Sequence, residues 1–264
     1  MGTATVSADR YAAVVFDLDG VLTDTATAHR ASWRSVFDQL LATPGPGRRD
    51  PFTDEDYLRY VDGRRRYDGA ATFLASRGIS LPWGDPADPP GAPTVCGVGN
   101  RKDEVFGQWL TSHHVPAYPD ATRFLARLAV AGIRRAVVSA SRNCAAVLAS
   151  AGLSDAFEVQ VDGVVADELG LPGKPDPATF LEAARRLGVP AARCVVVEDA
   201  ESGVRAGRSG GFGLVVGIDR AGGAQGATHA AALRAAGADV VVGDLDELAV
   251  TAHDAPVGRG AETG

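Results

Sequence analysis

Lysine is almost missing from this chain: of its 26 basic residues, all but Lys102 and Lys174 are arginine. Where arginine fills nearly every cationic position, a surviving lysine marks a place that needs a compact ammonium rather than a planar guanidinium. Cysteine is scarce as well. Cys96, Cys144 and Cys194 are odd in number, far apart and form no CxxC pair, which excludes a disulfide framework and a structural zinc site. No apolar run approaches the roughly 20 residues of a membrane span. The opening MGTATVSADR has neither the charged start nor the apolar stretch of a signal peptide. A formal net charge of −7 argues against a general nucleic-acid binder. A cytoplasmic monomer without membrane or nucleic-acid partners is expected.

What is present begins with VVFDLDGVLTDT at 14–25, two carboxylates one residue apart after a buried-strand pattern. Residues 26–41 read as a helix with Trp33, Val36, Phe37, Leu40 and Leu41 on one face, and TPGPGRRDP breaks it. From 54 to 115 the pattern is helical with interruptions, including the Pro/Gly-rich loop LPWGDPADPPGAP. After Tyr118 the texture changes to strands (IRRAVVSAS, FEVQVDG, RCVVVEDA, GFGLVVGID, ADVVVGD) alternating with helices of about 10–15 residues. That alternation predicts an α/β, Rossmann-like, doubly wound parallel sheet carrying an inserted all-helical domain. The expected division is a discontinuous core over 11–27 and 118–250 and a cap over 28–117. Flexible tails are expected at 1–10 and 251–264.

In an open parallel sheet, ligands bind beyond the C-terminal strand ends. Those ends carry Asp17 and Asp19, then Ser139-Ala140-Ser141 followed by Arg142 and Asn143, then Glu198-Asp199; Lys174-Pro175 precedes a helix that Asp176 should cap and Pro177 should open. Carboxylates at that density repel unless a cation joins them, and oxygen-only ligation suits Mg²⁺, which accepts substrate phosphate as a further ligand. Hydroxyls, strand-end N–H groups and a lysine suit a phosphoryl group.

FDLDGVLTDT, the serine of VVSAS, GKPDP and VVVEDAESGV, in this order, resemble the four motifs of the haloacid dehalogenase (HAD) superfamily of phosphotransferases. The helical insertion resembles the cap of the subgroup that contains β-phosphoglucomutase and related sugar-phosphate phosphatases. The resemblance implies Asp17 as nucleophile and Asp19 as general acid/base, with Thr25 and His29 at the cap linker. It implies Mg²⁺ held by Asp17, the Asp19 carbonyl and Asp199, with Glu198 alongside, and a phosphoryl group held by Ser139, Ala140 and Lys174. Gly63, Arg66, Lys102 and Trp33 fall in the cap's substrate region, with Ser141, Arg142 and Asn143 on a facing loop. Three departures stand out. Asp62 occupies a position where the family usually has lysine, Ala200 one where serine is common, and the loop at 81–98 lengthens the cap.

The activity so implied is interconversion of β-D-glucose 1-phosphate and glucose 6-phosphate, with glucose 1,6-bisphosphate as activator and intermediate. A sugar-phosphate phosphatase, for example on trehalose 6-phosphate, is the rival; it differs in admitting water to the aspartyl phosphate. A non-catalytic sugar-phosphate binding protein is the third reading, against which the Asp17/Asp19 pair speaks. In all three the partner is a small phosphorylated sugar.

Overall fold

The apolar run before the first acidic pair forms the central strand of the sheet. In the computed structural model, which describes residues 4–220 and 223–253, strand β2 (Ala13–Asp17) is buried along its whole length. Parallel neighbours flank it on both sides, β3 (Arg134–Val138) and β5 (Cys194–Glu198), with Ala13 opposite both Arg134 and Cys194. β4 (Val159–Val161), β6 (Leu214–Ile218) and β7 (Val240–Val242) complete a parallel sheet of order β4-β3-β2-β5-β6-β7. Side chains alternate faces along a strand, so Val14, Phe16, Val195 and Val197 meet Phe124 and Leu128 of α5 (Pro119–Val130) and Val147 of α6 (Cys144–Ser150). Ala13, Val15, Ala136 and Val196 face the other way, toward α8 (Ala178–Leu187), α9 (Glu201–Ser209) and α10 (Gly223–Ala236). This is the α/β doubly wound architecture that the alternation predicts.

The segment between β2 and α5 is helical, with no strand between 54 and 115. It runs through α1 (Ala26–Ala42), α2 (Asp54–Asp56), a π-helical turn (Tyr57–Val61), α3 (Arg66–Ser76) and α4 (Val95–Ser112). Its own apolar cluster is built on aromatics: Trp33 stacks on Phe37 at 4.9 Å, and Phe37 lies 4.2 Å from Phe73. Ala28 and Phe106 pack with the sheet instead, so the two cores meet along the first turn of α1 and the middle of α4. The two chain crossings run side by side, Tyr118 N–H donating to Leu22 C=O at 2.9 Å. No helix among the described residues is long and apolar enough to cross a membrane.

The structure corrects the sequence at three places. Thr5–Ser7, expected in a flexible tail, forms β1 and pairs in parallel with β8 (Ala249–Thr251), burying Val6. Each strand offers a single valine between small residues, which is why composition hid the pair. Residues 254–264 lie outside the described residues. A short helix, α7 (Gly163–Glu168), starts where Asp162 accepts the N–H groups of Val164 and Val165; six residues among glycines carry no helical period. Finally, α8 begins at Ala178 rather than Pro177, with Asp176 accepting its N–H at 2.9 Å.

The helical cluster rests on one buried ion pair. Arg77, with 2% of its side chain exposed, holds Asp56 at 2.6 Å and donates to the carbonyls of Asp50 and Pro51. Burial pushes the Asp56 carboxyl up, but the Thr53 hydroxyl and N–H and the Arg77 guanidinium hold it below the usual range. Removing one partner strands a buried charge, so Arg77→Met is expected to cost about 3 kcal/mol of stability, read by urea denaturation. Because the folded value is depressed, the Asp56 contribution is complete above the unfolded aspartate range and fades as pH falls through the folded value. The gap between wild type and variant should therefore narrow in acid.

Candidate active site

Three strand-end segments and the helical cluster enclose one cavity, lined among others by Asp17, Asp19, His29, Trp33, Gly63, Arg66, Lys102, Ala140, Ser141, Arg142 and Asp199. Asp17 ends β2, and Lys174 reaches it from the loop ahead of α8. The Lys174 ammonium donates to Asp17 Oδ1 and, at 2.5 Å, to Glu198 Oε1 at the end of β5. Burial would neutralise this lysine, but its two carboxylate partners raise its pKa above the ordinary value. Glu198 is fully buried, and its other oxygen accepts the Ala200 N–H at 2.7 Å. Burial pushes Asp17 well above the usual carboxylate range; Lys174 works against this and the charges of Glu198 and Asp19 add to it.

Asp19 sits in the opposite environment. Its Oδ1 accepts the Thr25 hydroxyl, and its Oδ2 accepts Ser139 Oγ–H at 3.3 Å. His29 Nε2 faces Oδ1 at 3.3 Å, while His29 Nδ1 lies 2.5 Å from the Lys102 ammonium. An ammonium has only donors, so Nδ1 must accept and the ring proton sits on Nε2, toward Asp19. Burial alone would raise Asp19; His29, the Thr25 hydroxyl and Lys102 together bring it down to about 2. Burial and Lys102 push His29 itself toward its neutral form, in which the Nε2 proton still faces Asp19. Burial also lowers Lys102, to about 8.

These placements redistribute several sequence-assigned residues. Lys102, expected in the cap's substrate region, lines the cavity and is buried against His29. Trp33 walls the cavity, its ring centroid 5.7 Å from Lys102 Nζ. Gly63, at φ +66, leans on the sheet domain, where a Cβ would fall 2.4 Å from Ser202 Oγ and 2.9 Å from Ala200 Cβ. Ser202 Oγ–H donates to the Asp62 carbonyl at 2.9 Å, a second tie between this turn and the sheet domain. Asn143 reaches across to Asp103 at 2.9 Å, and Arg66 pairs with the same carboxylate at 2.7 Å. Arg142 turns to Asp167 of α7 at 2.6 Å.

Several participants carry no sequence signal. Asp167 also takes Arg65 from the helical side, joining the two domains. Arg220, one arginine among many, donates to the carbonyls of Gly20 at 3.0 Å and Val21 at 2.8 Å and pairs with Asp120 at 2.9 Å. Its guanidinium stacks 3.8 Å from the Tyr118 ring, so it fixes the turn after Asp19 to the second crossing.

The donor set suits a hard divalent cation. Among the described residues no group of three His, Cys, Asp or Glu is arranged to hold a metal unaided. Mg²⁺ uses one or two carboxylates and completes its shell with water and phosphate oxygens. No hydrogen bond or ion pair reaches the Asp199 carboxylate among the described residues. Gly20, at φ +82, lies so close that a Cβ would fall 1.9 Å from Asp199 Oδ2. Burial and the charges of Asp62, Glu198 and Asp17 raise Asp199 well above the usual range, and Asp62 itself is pushed up to about 6 by burial and Glu198. The site carries more negative charge than its lysine balances.

Comparison with known proteins agrees with this geometry. Residues 11–211 match the model of the haloacid dehalogenase-like hydrolase family. The chain is 46% identical over 244 residues to a β-phosphoglucomutase of Mycobacterium bovis, across 91% of this chain and 92% of that one. It is 41% identical over 249 residues to an uncharacterized glycosyl hydrolase of Mycobacterium tuberculosis, across 93% of this chain and 18% of that far longer one. Among solved structures, a β-phosphoglucomutase from Clostridium difficile matches in fold with a TM-score of 0.68 at 22% identity, covering 90% of this chain and 92% of that one.

The surplus charge has a measurable signature. A carboxyl whose folded pKa is raised loses stability as pH climbs from its unfolded to its folded value. In metal-free protein, Asp199→Asn should raise Tm at pH 8, and the gain should vanish near pH 4. Mg²⁺ should raise the wild-type Tm and have little effect on the variant, both read by calorimetry.

Proposed function

The chain belongs to the haloacid dehalogenase-like hydrolase family, and from that premise we propose that it interconverts β-D-glucose 1-phosphate and glucose 6-phosphate by way of a phosphorylated Asp17 and glucose 1,6-bisphosphate. The observation that carries this reading is the unequal treatment of the two acidic neighbours. Asp17 lies against a lysine in a dry, crowded strand end, whereas Asp19 is tied through Thr25, His29 and Lys102 to the segments that lead into the cap. One carboxylate is placed to attack and the other to follow the cap with a proton. The near-full-length similarity to a β-phosphoglucomutase supports the same choice.

In the proposed reaction an Asp17 oxygen attacks phosphorus of glucose 1,6-bisphosphate in line, and the bond from phosphorus to the sugar oxygen breaks. Asp19, entering this step protonated, gives its proton to that departing oxygen. Glucose 6-phosphate then leaves and β-glucose 1-phosphate enters; the ionised Asp19 takes the proton of its 6-hydroxyl as that oxygen attacks the phosphorus on Asp17 and the bond from phosphorus to Asp17 breaks, regenerating the bisphosphate. Its low pKa in the ligand-free chain corresponds to the proton-accepting half. Lys174 and the N–H groups around Ala140 hold the phosphoryl oxygens, with Ser139 moving from Asp19 to join them. Mg²⁺, held by Asp17, the Asp19 carbonyl and Asp199 with Glu198 alongside, would neutralise charge between the carboxylates and the phosphoryl oxygens.

One observation favours a sugar-phosphate phosphatase instead. Asp62 brings an acid to the cap position where the family usually has lysine, which weakens the grip on a second phosphate and leaves Arg66 to supply it. In that reading water replaces the sugar hydroxyl in the second step, and trehalose 6-phosphate is a natural candidate substrate. ³¹P NMR with Mg²⁺, β-glucose 1-phosphate and a trace of glucose 1,6-bisphosphate separates the two. Glucose 6-phosphate with little inorganic phosphate, lost in Asp17→Asn, is the expected result. Inorganic phosphate as the main product would replace the mutase reading with the phosphatase one.

A further inference from the structure

The Pro/Gly-rich loop that lengthens the cap has no part in the chemistry above, yet it is tied by an unbroken set of contacts to an arginine on the cavity wall. The loop between α3 and α4 folds back on the start of α4. Val95 N–H donates to Pro82 C=O at 2.9 Å, Cys96 N–H to Trp83 C=O at 3.0 Å, and Gly91 N–H to Gly97 C=O at 2.9 Å. Asp88 closes it from within, accepting Thr94 Oγ–H at 2.6 Å and Asp85 N–H at 3.0 Å.

Asn100, in the second turn of α4, reads the loop and passes its position on. Its Nδ2 donates to Pro86 C=O at 3.1 Å and Asp88 C=O at 2.8 Å, which leaves Oδ1 free to accept the Tyr67 hydroxyl at 2.8 Å. Tyr67 OH in turn accepts Arg66 Nη2–H at 2.8 Å, and the Arg66 guanidinium lies 4.8 Å from the Tyr67 ring centroid. Every polar atom of the Asn100 amide and of the tyrosine hydroxyl is committed, so the direction of the relay is fixed. Two glycines of α4 make the approach possible. A Cβ on Gly97 would fall 2.4 Å from the Ala92 carbonyl oxygen, and one on Gly99 would fall 2.7 Å from the Tyr67 ring.

We propose that this loop, acting through Asn100 and Tyr67 as positioning residues, sets the Arg66 guanidinium in the cavity and thereby tunes affinity for ligands that carry a second phosphate. The inference rests on the reading of Arg66 as the grip for that phosphate. An arginine held on two sides by Tyr67 and Asp103 is preorganised, and preorganisation is returned as affinity because less side-chain freedom is lost on binding. The loop's role is thus in binding, not in the chemical step.

The test uses the full chain with Mg²⁺. Binding of glucose 1,6-bisphosphate is measured by calorimetry in the Asp17→Asn background, and turnover of p-nitrophenyl phosphate is measured in the otherwise wild-type chain. Tyr67→Phe keeps the ring and removes only the hydroxyl. Asn100→Asp keeps an acceptor for Tyr67 while losing the two donors to the loop. Both are expected to raise Kd for the bisphosphate about tenfold, the scale of one hydrogen bond to a charged group. Both should leave p-nitrophenyl phosphate turnover unchanged, because that substrate has no second phosphate. A merely structural role would lower Tm without shifting Kd, and that result overturns the proposal. So does an unchanged Kd in Asn100→Asp, which would make the loop a passenger. Arg66→Met separates the levels. If it raises Kd while Tyr67→Phe and Asn100→Asp do not, the relay alone fails; if it too leaves Kd unchanged, the second-phosphate reading fails with it.

Discussion

Two acidic side chains on adjacent parallel strands would drive those strands apart, and the contact that allows them to coexist is the Lys174 ammonium between Asp17 and Glu198. β2 and β5 must be neighbours for the sheet to place its loops, and both end in a carboxylate at the same edge. A point-like cation fits between them where a guanidinium would need more room, and it rests 4.8 Å from the Phe180 ring centroid. The backbone is shaped around the same contact. Gly203 has no side chain because the Glu198 carboxylate lies where a Cβ would be, 1.7 Å away.

That core contact makes one carboxylate dry and crowded; the other is held by Thr25 and His29, at the entry to the helical segment. Asp19 belongs to the sheet by sequence but takes its partners from the entry to the cap, and its low pKa depends on them. The chemistry and the domain contact are therefore not separable parts. A displacement of α1 or α4 changes the partners of Asp19, whereas the Lys174 cluster is anchored in the sheet alone. Acids stand on both walls of the cavity, Asp17, Asp19 and Asp199 on the sheet side and Asp62 and Asp103 on the helical side, where Arg64 and Arg66 also lie.

The sheet was legible because buried parallel strands read as apolar runs of about five residues between helices of regular period. The site was legible for a related reason: strand ends are identifiable, so Asp17, Asp19, Ser139, Lys174, Glu198 and Asp199 could be brought to one edge from the sequence, and they lie there. What stayed hidden depends on geometry across long separations. Nothing local distinguishes Arg220 from the other arginines, and its value lies in two carbonyls some two hundred residues earlier. Lys102 was legible as a special cation, but its partner His29 was not, because helix faces of α1 and α4 had to be packed before the pair existed. β1 and β8 escaped because each offers a single valine between small residues (TVS, AVT), whereas the equally short β4 and β7 are valine-richer (VQV, VVV); α7 is too short for a helical period.

The position of β2 at the centre of the sheet also constrains the order in which the molecule can be built. When the ribosome has delivered Ala13–Asp17, neither Arg134–Val138 nor Cys194–Glu198 has yet been made, so this fully buried strand has no partner. The helical cluster has no such delay, since its aromatic core is contiguous in the chain. Local contacts close quickly and distant pairings wait. The helical cluster is thus the part that can consolidate first, while β2 has no partner until β3 is made and remains an aggregation-prone edge until β5 arrives in the last third of the chain. For this fold the placement that gives Asp17 its buried setting is also the one that leaves its strand exposed while the whole helical segment is made.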